Sequence, residues 1–140
     1  MKKQLFVFAF AIIVSAPGIK AQTGVTVAGN FGQNSDANQL YNPTGVFVDA
    51  SGNVYVSDQL NHRVQKWAPG APTGTTVAGG NGQGLSASQL NSPKGVFVDA
   101  ANNLYVCDLG NQRVQKWAPS ATTGTTVAGG NGPGSNMNQL

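Results

Sequence analysis

The strongest constraint on this chain is a repeat of fifty residues. Tyr41 to Leu90 returns as Asn91 to Leu140 without a gap, and roughly two-thirds of paired positions are identical. Gly45-Val-Phe-Val-Asp-Ala50 returns as Gly95-Val-Phe-Val-Asp-Ala100, and Arg63-Val-Gln-Lys-Trp67 as Arg113-Val-Gln-Lys-Trp117. A repeat of this size marks an architecture in which each unit buries its apolar faces against its neighbours.

Each repeat reads as four short strands. Gly45–Asp49 has apolar residues on both faces, as a strand sandwiched between sheets would. Ala50–Asn53 is a tight turn, because Gly52 and Asn53 tolerate positive φ. Val54–Ser57 is the second strand, and Asp58–Asn61 the next turn. Arg63–Trp67 alternates polar and apolar residues, which predicts one wetter face. A Pro- and Gly-containing loop from Ala68 to Thr73 leads to the fourth strand, Thr75–Ala78. No segment has helical periodicity. Gly24-Val-Thr-Val-Ala-Gly29 aligns with Gly74–Gly79 and Gly124–Gly129, so residues 24–29 are expected to form a lone fourth strand. Four antiparallel strands per repeat match one blade of a β-propeller. The expected fold is therefore all-β: about two four-stranded blades and one extra N-terminal strand, a partial ring. The chain reads as a fragment, because propellers close with about four to eight blades.

Residues 1–21 have the layout of a secretory signal peptide: Lys2-Lys3, an apolar run from Leu5 to Val14, then Ala21 before the expected cut. That run is too short to span a membrane. The expected product is residues 22–140, secreted to the extracellular space, or to the periplasm of a bacterium. It carries Arg63, Lys66, Lys94, Arg113 and Lys116 against Asp36, Asp49, Asp58, Asp99 and Asp108. This balance argues against a nucleic-acid partner, which calls for clustered excess Lys and Arg. No N-glycosylation sequon with an allowed middle residue occurs. The single cysteine, Cys107, cannot form an intramolecular disulfide; it aligns with Ser57 and is expected to be small and partly buried at a strand end.

Pro43, Gly45–Asp49, Gly52–Asp58 and Asn61-His-Arg-Val64 resemble the NHL repeat. Pro93, Gly95–Asp99, Asn103–Asp108 and Asn111–Val114 form a second copy, with Gln112 in place of the histidine and Asn102 in place of the turn glycine. The resemblance implies a toroidal propeller, often of six blades, used mainly as a binding platform. It also leaves an alternative: part of a metal-dependent propeller enzyme, similar to the peptidyl-hydroxyglycine lyases or to a lactonase, with active-site residues in further blades.

The residues offer no Ser/His/Asp or Cys/His nucleophile arrangement, so no catalytic, cofactor or metal residue is assigned and no cofactor is expected. His62 is the only histidine, sits on a turn and is replaced by Gln112 in the second copy, which makes it a poor zinc ligand. Asp49 and Asp99 end the first strands, where they could converge on a cation, but an Asp at such a turn more often accepts backbone N–H bonds. The glycine-rich runs Gly79–Gly84 and Gly129–Gly134 fit neither the dinucleotide fingerprint nor the calcium turn and read as flexible inter-blade loops. The pairs Asp58/Arg63 and Asp108/Arg113 flank equivalent turns; because both copies carry them, they read as turn-fixing pairs ahead of a binding surface. Trp67 and Trp117 could stack on a sugar or peptide, but packing between blades suits them better. The expected role is thus a non-catalytic scaffold for a protein or glycan ligand. Two blades leave open edges and unburied faces, so self-association is also expected.

Overall fold

The structure, a computed structural model, describes residues 24–29 and 32–140; the expected signal peptide and its cleavage site lie outside these residues. Two four-stranded antiparallel sheets follow one another along the chain. The first contains β1 (Pro43–Val48), β2 (Val54–Asp58), β3 (Arg63–Trp67) and β4 (Thr75–Gly79). The second contains β5 (Pro93–Val98), β6 (Leu104–Asp108), β7 (Arg113–Trp117) and β8 (Thr125–Gly129). Both sheets have sequential up-and-down order and the same register: Tyr55 pairs with Lys66, and Tyr105 with Lys116. These are two blades of one architecture.

Strand alternation gives each blade two distinct faces. One carries Phe47, Tyr55, Ser57, Val64 and Lys66, and in the second blade Phe97, Tyr105, Cys107, Val114 and Lys116. The other carries Val48, Val56, Arg63, Gln65 and Trp67, and in the second blade Val98, Val106, Arg113, Gln115 and Trp117. The core forms where the first face of blade one meets the second face of blade two. Tyr55, Val64 and Ala78 pack there with Val98, Leu104, Val106 and Trp117, and Leu90 of the connection is fully buried. Phe47 meets Phe97 edge to face at 5.3 Å between centroids, a favoured aromatic geometry.

The blades approach most closely at their first strands. Thr44 Oγ1 donates to Pro93 O at 3.1 Å, and Ser92 N–H donates to His62 Nδ1 at 3.1 Å. A Cβ on Gly45 would fall on the Lys94 carbonyl oxygen, so only glycine lets these backbones approach. The outer strands use the same device: a Cβ on Gly74 would come within 2.8 Å of the Trp67 ring, and one on Gly124 within 2.8 Å of Trp117.

The structure corrects several expectations. Residues 24–29 form no strand: they have no ladder partner, and Val25 and Val27 are 82% and 64% exposed. A strand without a neighbouring strand has no bonds to hold it. The turn after Asp58 is a single turn of 3₁₀ helix, Gln59–Asn61, repeated at Leu109–Asn111. The expected wetter face of the third strand is dry, since Arg63, Gln65 and Trp67 are all buried. Cys107 is exposed, whereas Ser57 is fully buried, because a second blade covers only the first of the two equivalent faces.

The Gly45 contact gives a direct test. Gly45→Ala should cost about 1–3 kcal/mol by overpacking a backbone contact that cannot yield. Gly95→Ala, whose Cβ would meet only the Cys107 side chain, at 3.2 Å from the sulfur, should cost less. Urea denaturation of the two variants compares them.

Candidate functional site

Up-and-down order puts all β2–β3 turns and inter-blade links at one end of the blades, and all β1–β2 turns and β3–β4 loops at the other. The end with the links is organised by one buried charge pair per blade. Asp58 is fully buried and Arg63 nearly so, with Arg63 Nε donating to Asp58 Oδ2 at 2.7 Å. Every further polar contact of the pair reaches toward the link that enters the blade. Asp58 Oδ1 accepts the Tyr41 N–H at 2.7 Å, and Asn61 Nδ2 donates both to Asp58 Oδ2 and to Asn34 O, each at 2.8 Å. The rest of the guanidinium donates to the carbonyls of Ser35, Asp36 and Gln39.

The second blade repeats this network. Arg113 donates to Asp108 at 2.7 Å and to the carbonyls of Leu85, Ser86 and Gln89. Asp108 Oδ1 accepts the Asn91 N–H at 2.6 Å, and Asn111 joins Asp108 to Gly84 O. A planar guanidinium with its five donors suits such a cluster of carbonyls, whereas a lysine ammonium would not span them. Burial of Asp58, Arg63, Asp108 and Arg113 removes them from contact with a ligand; they tie the links to the blades. Trp67 and Trp117, each 2% exposed, likewise have no free ring face to offer a sugar or peptide.

The glycine-rich links are closed loops pinned by amides, not loose connectors. Asn81 Nδ2 donates to Ser88 O, Gln89 Nε2 donates back to Asn81 O at 3.0 Å, and Gln83 reaches Asn91 at 2.9 Å. Asn131 and Gln139 repeat the exchange with the same spacing. The leucine after each glutamine then seats against the glycine that precedes the link, Gly79 at the end of β4 and Gly29 at the equivalent place ahead of the first blade. A Cβ on Gly79 would come within 2.9 Å of Leu90, and one on Gly29 within 3.1 Å of Leu40.

What remains exposed at the link end is amide-rich, with apolar tips and few charges, Asp36 and Lys94 among them. Leu60, Leu109, Leu85 and Tyr41 are all exposed there among Asn, Gln and Ser side chains. This is also where the repeats differ most. Gln59-Leu60 becomes Leu109-Gly110, His62 becomes Gln112, Tyr41-Asn42 becomes Asn91-Ser92, and Leu85-Ser-Ala-Ser88 becomes Ser135-Asn-Met-Asn138. His62 and Gln112 both adopt left-handed backbone, φ 51° and 50°, and the imidazole of His62 reaches the second blade at Ser92.

The opposite end holds the two aspartates considered as cation ligands. Asp49 accepts the N–H groups of Ser51 and Asn53 with Oδ1, and Asn53 Nδ2 and the Tyr55 hydroxyl with Oδ2. Asp99 does the same with Ala101, Asn103 and Tyr105. All four bonds favour the carboxylate, and the amide of Asn53 or Asn103 leads in holding each group below the usual carboxylate range. These aspartates close hairpins. Beside them, between the blades, opens a cleft of about 960 Å³ lined by Tyr55, Lys66, Thr76, Trp117 and Ala121. A smaller cleft of about 500 Å³ recurs at the equivalent place between residues 26–29 and Trp67. Lys66 lies over the Tyr55 ring at 5.5 Å, as Lys116 lies over Tyr105 at 5.7 Å.

Sequence reasoning placed the Asp/Arg pairs at their turns but missed that their targets are link carbonyls. Asn61 and Asn111 were readable only as motif positions, and the Asn81–Gln89 and Asn131–Gln139 spacing was the available sign of a pinned loop.

Two outcomes follow. Asp58→Asn should destabilise the chain by about 3–5 kcal/mol, because it leaves a buried guanidinium without its counter-charge; thermal and urea denaturation measure this. The aspartate turns predict an acid dependence. A carboxylate held below its ordinary value stabilises the fold above about pH 4 and loses that contribution as the pH falls through its lowered value. In Asp49→Asn/Asp99→Asn, the melting temperature should therefore fall less steeply below about pH 4 than in the parent.

Among curated proteins, none matches this chain. The NHL repeat family matches it at residues 40–67 and again at 90–117, each match running from the end of a link through the third strand of its blade. Each match takes in the buried charge pair, the 3₁₀ turn and the tryptophan. The chain is an NHL-repeat protein built from β-propeller blades.

Proposed function

We propose that this protein is a non-catalytic recognition scaffold, exported from the cell, whose link end binds a protein or glycan ligand. One observation carries the proposal: the charge pairs Asp58/Arg63 and Asp108/Arg113, which recur in both copies at the link end, are turned inward, while the differences between copies gather on the exposed surface of that end. A platform that must keep its frame and vary its contacts has this distribution. The surface there is rich in amides, which pair with hydroxyls and peptide groups alike. Leu60, Leu85 and Leu109 add apolar tips that a ligand would desolvate. Export rests on the leader-like sequence of residues 1–21.

Glycan-array and peptide-array binding tests this. Leu60→Asp and Leu85→Asp should each weaken binding of whatever the array retains by tenfold or more. Thr122→Asp, at the opposite end, should leave it unchanged. Binding that follows Thr122 and ignores both leucines would place recognition elsewhere.

A further inference from the structure

The cleft between the blades, at the end opposite the links, is walled by residues of both. Its volume of about 960 Å³ falls within the range of small-molecule sites. Blade one lines it with Tyr55, Lys66 and Thr75, and blade two with Leu104, Trp117 and the loop 118–122. The charges in its lining are Lys66 and Asp49, and only the first is available. Asp49 accepts four hydrogen bonds, which fills both of its oxygens. Lys66 stands over the Tyr55 ring at 5.5 Å, and the Tyr55 hydroxyl is itself anchored on Asp49 at 3.3 Å. The ring steadies the ammonium. Among the described residues, no carboxylate lies within ion-pair distance of it.

The facing wall differs between the copies in one direction. Gly52, Gly70 and Pro72 of blade one become Asn102, Ser120 and Thr122 of blade two. All three line the cleft and are exposed. Gly52 and Gly70 sit in left-handed backbone, φ 79° and 73°, and Asn102 and Ser120 hold the same conformation at φ 62° each. A side chain in that conformation carries a backbone cost, smaller for Asn than for Ser. Blade two bears this cost and sets an amide and two hydroxyls, which the hairpins do not use, opposite the unpaired ammonium.

We propose that this cleft binds a monosaccharide that carries a carboxylate, a uronic acid. The carboxylate takes charge-assisted bonds from Lys66. The ring hydroxyls, which both donate and accept, pair with Thr75, Asn102, Ser120 and Thr122. One ammonium matches the single charge of a carboxylate better than the nearly double charge of a phosphate. The site is separate from the link end. Its affinity rests on one ion pair and a few neutral bonds, so the dissociation constant should be about 1 mM. That is too weak to survive the washing of an array, so recognition at the link end is measured apart from it.

Amide chemical shifts of the isotope-labelled whole chain, titrated with sodium glucuronate and with sodium galacturonate, test this. At least one uronate should move the amides of Lys66, Thr75, Asn102 and residues 120–122, saturating in the millimolar range. Glucose, and acetate at matched ionic strength, should each bind about tenfold more weakly, because each lacks one half of the contacts. Lys66→Gln should weaken the uronate by about tenfold. Lys116→Gln, which removes the equivalent cation from the other blade, should leave it unchanged. Asn102→Gly/Ser120→Gly restores the residues of blade one. It should weaken the uronate severalfold and raise the melting temperature, because it relieves two left-handed side chains. Should Lys66→Gln not fold, the glycine variant carries the test. No movement of these amides with either uronate at about 10 mM, tenfold above the expected constant, overturns the proposal. So do equal shifts from acetate, which would mean an adventitious anion on one lysine, and so does uronate binding left unchanged by either cleft variant.

Discussion

The fold depends on a buried carboxylate holding a buried guanidinium. Neither Asp58 nor Arg63 could be buried alone, since an unpaired charge in a protein interior is prohibitively costly. Together they still leave donors and acceptors unmet, and the link supplies the partners: an N–H for Asp58, three carbonyls for Arg63. Local hairpin chemistry therefore determines where a non-local segment lies. The equivalent pair Asp108 and Arg113 seats the link between the blades in the same way, so Leu90 is held in the junction and the core around Tyr55, Val64, Val106 and Trp117 can close. The recurrence of the network at Asp108 and Arg113 is why the two blades have the same form.

This ordering separates frame from surface. Residues common to both copies make the hairpin turns, the charge pairs, the tryptophan–glycine contacts and the blade junction. Residues that differ mostly lie on the link end, where neither backbone nor core constrains them. Leu60 and Gly110 occupy the same corner of the same turn, and both are compatible with it. A frame that tolerates such exchanges can present different surfaces from one repeat to the next, which is what a recognition scaffold requires.

The strands were legible in the sequence because their determinants are local. Val46–Val48, Val54–Val56 and the Gly52-Asn53 turn identify a hairpin without reference to the rest of the chain. Asp58/Arg63 was legible as a pair for the same reason. What could not be read depends on neighbours. Alternation along Arg63–Trp67 predicted a wet face because a sequence does not reveal that a link will cap Arg63 or that Gln65 will be buried beside Thr76. Residues 24–29 have the composition of β4 and β8 yet form no strand, since composition cannot provide a partner. The glycine-rich links read as flexible because the side-chain amide hydrogen bonds that pin them join residues seven or eight apart, beyond the reach of turn rules. Cys107 and Ser57 occupy equivalent positions, and only the presence of a covering blade makes one exposed and the other buried.

The central claim, that the charge pair acts through the link it captures, is tested most directly by hydrogen exchange read at single amides. In Arg63→Ala, protection should fall at Tyr41, Gln39 and the Gly74 N–H, which donates to Ala37 O, while the β5–β6–β7 ladder of the second blade stays protected. Uniform loss across both blades, or an unchanged Tyr41 amide, would contradict it.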